Sequence, residues 1–94
     1  MKELRFNSRE RAVIRCIDET SGTLGEEILE QAHMEDIDLL DVLQGLINTG
    51  VLEAYAPNED LPLMSDVPLA ALRTTRFEMN PAFAQEVRQA MRRV

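Results

Sequence analysis

One histidine and one cysteine occur in the chain, and their neighbours set how much chemistry each can do. His33 closes the run Glu30-Gln31-Ala32-His33, which has the Glu-x-x-His spacing of carboxylate-bridged metal sites. Residues three apart on a helix share a face, so the two could ligate one ion, but such centres need a second motif and further carboxylates. A metal- or ligand-dependent sensor therefore has only His33 and its acidic neighbours in its favour. The plainer expectation is a histidine capping the end of a helix. Cys16 falls on an apolar stripe with Val13 and Ile17, where a thiol behaves as a small hydrophobe, and a single cysteine excludes an internal disulfide. The sequence carries no phosphate-cradling glycine loop, no Cys/His ligand set and no nucleophile–base pair. It thus points to no catalytic residue, no metal, no cofactor and no small-molecule substrate, and the expectation is a protein that is not an enzyme.

Charge is the stronger signal. The formal net charge is −7, but no Lys or Arg occurs between Arg15 and Arg73, an interval that holds thirteen Asp and Glu. Both flanks are net basic. Charge separated by region in this way predicts a polarised surface. The apolar fraction of 45% is that of a globular protein, and with four aromatics (Phe6, Tyr55, Phe77, Phe83) the core must be built from aliphatic residues. Ninety-four residues fit one domain, taken as 1–94. The apolar runs are too short to span a bilayer and no signal segment follows Met1, so the expectation is a cytoplasmic protein that does not enter membranes.

Asn7 with Glu10 reads as a capping box opening a helix over about 8–19, ended by Ser21-Gly22. Thr23 with Glu26 repeats the signature for a second helix over about 24–33, with Leu24 stapled on Ile28. A third helix, about 35–49, places Ile37, Leu40, Leu43 and Ile47 inward, and Gly50 closes it in a left-handed conformation. Strands are expected over about 51–56 and 74–79. Between them lies a long connection containing Pro57, Pro62 and Pro68. Asn80-Pro81 starts a terminal helix over about 81–93 with a stripe of Phe83, Val87, Met91 and Val94.

The stretch Leu43-Gln44-Gly45-Leu46-Ile47-Asn48-Thr49-Gly50-Val51-Leu52-Glu53 resembles the junction of third helix and first wing strand in winged helix-turn-helix domains. Thr23-Leu24-Gly25-Glu26-Glu27-Ile28 similarly resembles the second helix of that superfamily. The resemblance covers roughly residues 7–79 and names no individual family. It implies an α+β, mostly α, fold: a three-helix winged-helix core, a two-stranded β-wing and an additional C-terminal helix.

In DNA-binding relatives the third helix enters the major groove. Here its outward face would show Asp38, Asp41, Gly45 and Asn48, with Glu35 and Asp36 at its start, and an acidic helix is repelled by phosphate. The expected contact surface lies elsewhere, in the apolar residues of the wing connection (Leu61, Leu63, Met64, Val67, Leu69, Leu72) and of the last helix (Phe83, Val87, Met91). These either fold back over the core or bind a second protein. The preferred expectation is a non-catalytic interaction module, a homodimer or the binder of another protein, with the acidic face Glu35, Asp38 and Asp41 as a second surface. The alternative is a small transcriptional regulator that contacts DNA phosphates through Arg5, Arg9, Arg11, Arg73 and Arg76.

Overall fold

The computed structural model describes residues 4–92 and gives an α+β fold, mostly helical, with a small antiparallel sheet. Helix α1 spans Ser8–Arg15, strand β1 Thr23–Leu24, α2 Gly25–Ala32 and α3 Asp36–Asn48. Strand β2, Leu52–Tyr55, and strand β3, Arg76–Met79, flank a connection that ends in a 3-10 helix over Leu69–Thr74. A 3-10 turn, Pro81–Phe83, leads into α4, Ala84–Arg92.

The N-terminus of α1 forms as its capping box predicts. The Asn7 side chain accepts from the Glu10 amide (2.8 Å) while the Glu10 carboxylate accepts from the Asn7 amide (2.9 Å). The helix stops four residues earlier than the expected 19, because local polar groups offer the backbone other partners. Asp18 accepts from the amides of Thr20 and Ser21, and Thr23 Oγ1 accepts from the Asp18 amide while donating to the Cys16 carbonyl. The two backbone contacts stabilise the charged carboxylate and hold Asp18 below the ordinary aspartate range.

Thr23 is therefore not the cap of α2. It is buried in a two-residue strand whose partner is β3, with Thr23 opposite Phe77 and Leu24 opposite Arg76. The helix begins one residue later, and Glu27 rather than Glu26 reaches back, to the Leu24 amide (3.1 Å). The sheet consequently has three strands in the order β1-β3-β2 instead of two. A strand of two residues has no alternation to read, which is why the sequence pattern misses it.

α3 ends in a Schellman arrangement: the amide of Gly50 donates to Ile47 and that of Val51 to Leu46 (both 3.0 Å), with Gly50 at φ +87°. The chain runs straight on into β2. Leu52 pairs with Met79 and Ala54 with Phe77, which puts those four side chains on the buried face and leaves Glu53, Tyr55, Arg76 and Glu78 on the other. Thr74 belongs to the 3-10 helix, not to the strand. Val13, Ile28, Leu39, Leu43, Leu46 and Phe77 form the centre of the core, and a buried aliphatic or Phe side chain contributes about 1.5–3 kcal/mol.

One part of the expected packing of α3 is wrong. Ile37 does not face inward; it is exposed, and the buried stripe is Leu39, Leu43 and Leu46, with Leu40, Val42 and Ile47 at its margins. That stripe has the same helical spacing, so period alone does not choose between the two. Arg93 and Val94, part of the expected terminal helix and its stripe, lie outside the described residues.

Candidate interaction surface

The connection between β2 and β3 is an ordered cover. The Leu63 amide donates to the Ala54 carbonyl (2.7 Å) on the side of β2 away from β3. The Val67 amide then donates to the Gln44 side chain on α3 (2.9 Å). Arg73, in the 3-10 helix, meets both oxygens of Asp36 at 3.2 Å. From Val67 to Arg73 the chain thus follows α3 back towards its N-terminus, and its 3-10 helix also packs on α2.

This path divides the nine apolar residues expected to form a contact surface. Val67, Leu72 and Val87 are corrected: they are buried core residues, because the connection and α4 fold onto the body and remove those side chains from solvent. Leu63, Phe83 and Met91 are partly buried and pack against the same core. Leu61, Met64 and Leu69 remain in solvent. With Ile37 they are the large apolar side chains exposed among the described residues, at 79%, 96%, 48% and 66% respectively.

The outward face of α3 carries Ile37, Asp41, Gly45 and Asn48, at positions i, i+4, i+8 and i+11. Asp41 and Glu35 are exposed and Asp38 is half-buried. Gln44 and Asn48 hydrogen-bond across one turn (3.0 Å). Gly45 stands in the middle of the helix without a positive φ, and apart from its chain neighbours and the adjacent backbone of α3 nothing lies within 4 Å of where a Cβ would be. A helix-interior glycine costs about 1 kcal/mol relative to alanine, and here nothing in the fold requires it. The opposite holds at Gly25, where a Cβ would come within 1.9 Å of the Leu72 carbonyl oxygen.

A groove of about 330 Å³ runs between α1, β3 and α4. Arg15, Glu19, Arg88 and Arg92 rim it around the half-buried Met91, and the buried Ile14, Ile17, Met79 and Val87 lie beneath. Arg88 also forms an exposed pair with Glu19 (3.2 Å).

The arginines that DNA contact requires are largely engaged within the fold. Arg11 donates to the carbonyls of Ala90 (3.0 Å) and Met91 (2.6 Å), so it satisfies the C-terminal end of α4 instead of forming an exposed ridge with Arg15. Arg73 is held by Asp36, and Arg76 meets Glu78 at 2.6 Å and lies 4.9 Å from the centre of the Tyr55 ring. Partial desolvation, then the Glu53 and Glu78 carboxylates, push the Tyr55 hydroxyl above its ordinary value, against the pull of Arg76. Arg5 and Arg9 are exposed.

His33 ends α2 through its backbone, at φ +55° with its amide on the Leu29 carbonyl (3.2 Å), and its side chain is exposed. Among the described residues no group of three or more His, Cys, Asp and Glu side chains converges to hold a metal. Burial raises the Cys16 thiol, which donates to the Ala12 carbonyl (3.3 Å), away from the reactive thiolate. No helix among the described residues is long and apolar enough to cross a membrane.

Sequence patterns missed Ile37 because the apolar stripe of α3 has two possible phases. They missed the helix-capping role of Arg11 because the contact joins residues seventy-nine and eighty positions apart. Compared with known proteins, the chain matches no family model, no curated protein and no solved structure.

Proposed function

We propose that the chain is a non-catalytic interaction module of winged-helix type that associates through the side of the molecule formed by α3 and the β2–β3 connection. The observation that carries this reading is the placement of Ile37, Leu61, Met64 and Leu69. Most aliphatic side chains of this size are gathered into or against the core, yet these four stand in solvent, Ile37 on α3 and the other three in the β2–β3 connection. Large apolar groups left exposed mark a contact surface in preference to a fold requirement. The helix order, with α3 passing through Gly50 directly into a short ribbon, supports the winged-helix frame. The proposed surface keeps Leu61, Met64 and Leu69 from the sequence reading, adds Ile37, and drops the buried residues.

The DNA-binding alternative loses support from the engagement of Arg11, Arg73 and Arg76 in the fold. The interaction reading is tested by sedimentation equilibrium on the wild type and on a triple variant, Leu61→Ser, Met64→Ser and Leu69→Ser. The wild type should associate with rising concentration. The variant should stay monomeric and unfold within about 0.5 kcal/mol of wild type, as surface changes do. A variant that associates as strongly as wild type removes the surface from the proposal.

A further inference from the structure

The outward face of α3 joins three features that folding does not explain: an exposed Ile37, a neighbouring Asp41, and Gly45 held at a cost with open space around it. A glycine on a helix face allows another surface to approach the backbone closely. The face therefore suits a docked partner. The acids decide what that partner can be. Two α3 faces meeting about a two-fold axis would bring the acids of one helix, Asp41 foremost, close to those of the other, and like charges so placed are unfavourable. The complementary surface must be basic. This chain carries one at the rim of the α1/α4 groove, where Arg15, Arg88 and Arg92 outnumber Glu19 around the half-buried Met91, above the buried Ile14, Ile17 and Val87. The two surfaces reflect the charge separation of the sequence, whose acidic interval holds α3 and whose basic flanks hold α1 and α4.

We propose that copies of this chain associate head to tail, with the α3 face of one, led by Ile37 and Asp41, seated in the α1/α4 groove of the next. This rests on the interaction reading above and names its partner as a second copy. A contact between two different surfaces does not stop at a pair; it extends into an open chain or closes into a ring.

Three sets of variants test it by sedimentation and light scattering. Gly45→Gln, a better helix former, should raise Tm while weakening association at least about tenfold, since its side chain fills the space left for the partner. Asp41→Lys alone and Arg15→Glu with Arg92→Glu should each be monomeric, and an equimolar mixture of the two proteins should associate again. Wild-type mass should exceed two protomers at high concentration and fall as salt rises from about 20 mM to about 500 mM. If the wild type associates and the Leu61/Met64/Leu69 variant does not, while the groove and Gly45 variants match wild type, this docking is overturned and the interaction reading stands. A wild type that is monomeric at every concentration overturns both. Should the charge variants lose their helical circular dichroism, Gly45→Gln and the salt series decide: association insensitive to both overturns the docking.

Discussion

Gly25 is a point of close approach between α2 and the 3-10 helix. Its amide donates to the Thr75 carbonyl (3.0 Å), and any Cβ there would strike the Leu72 carbonyl, which belongs to the backbone and cannot swing aside. Gly25→Ala should therefore destabilise the protein by at least about 2 kcal/mol, in the range of overpacked cores, even though alanine is the better helix former. Denaturant unfolding checks this, and an unchanged midpoint would mean that α2 and the 3-10 helix are less tightly apposed. Gly45 has the opposite character, and the two cannot be told apart by reading along the chain. Both are glycines within helical segments, and only the distance to another element separates a fold requirement from an open face. Local features were better written. The Asn7–Glu10 box, Gly50 and Asn80-Pro81 act within a few residues of themselves, and each forms where its pattern predicts.

Among the elements, α4 has the most unusual attachment. Val87 and Ala90 bury its inner face, and Arg11 of α1 holds its last carbonyls. Hydrogen bonds from a charged donor contribute about 1.5–3 kcal/mol, so Arg11→Ala should loosen α4 first, and its amides should exchange with solvent faster than those of α3. Equal loss of protection in both helices would show that α4 does not open separately. The amphipathic pattern of this helix was legible in the sequence, but its role was misjudged. An apolar stripe looks the same whether it packs on its own domain or on a second one. For α4 the packing is internal, and for the β2–β3 connection it is divided, with Val67 and Leu72 inside and Leu61, Met64 and Leu69 outside.

For the molecule as a whole, the fold brings the basic flanks of the sequence to its acidic interval at two points, Arg73 with Asp36 and Arg88 with Glu19. α2 and α3 lie within the acidic interval, while the groove between α1 and α4 is basic at its rim. The protein should fail to bind mixed-sequence duplex DNA even at about 20 mM salt, where phosphate contacts are least screened. A fluorescence anisotropy titration measures this directly. Binding that falls steeply with salt and is lost when Arg5 and Arg9 become Ala would favour the alternative instead. The overall class, helical with a small sheet, followed from the order of patterns. The third strand did not, because β1 exists only through its pairing with β3.

The hydrogen bond from Leu63 to Ala54 bears on what can add to the edge of the sheet. In a sheet of three short strands ordered β1-β3-β2, β2 is one of two edge strands, with unpaired backbone groups that invite pairing with a foreign chain. The connection that leaves β2 doubles back and occupies one of them at 2.7 Å. Amyloid-like growth by adding strands at that edge is thereby hindered. The same segment then turns Met64 outward immediately afterwards, so a single loop shields the backbone and still presents a side chain to a neighbour.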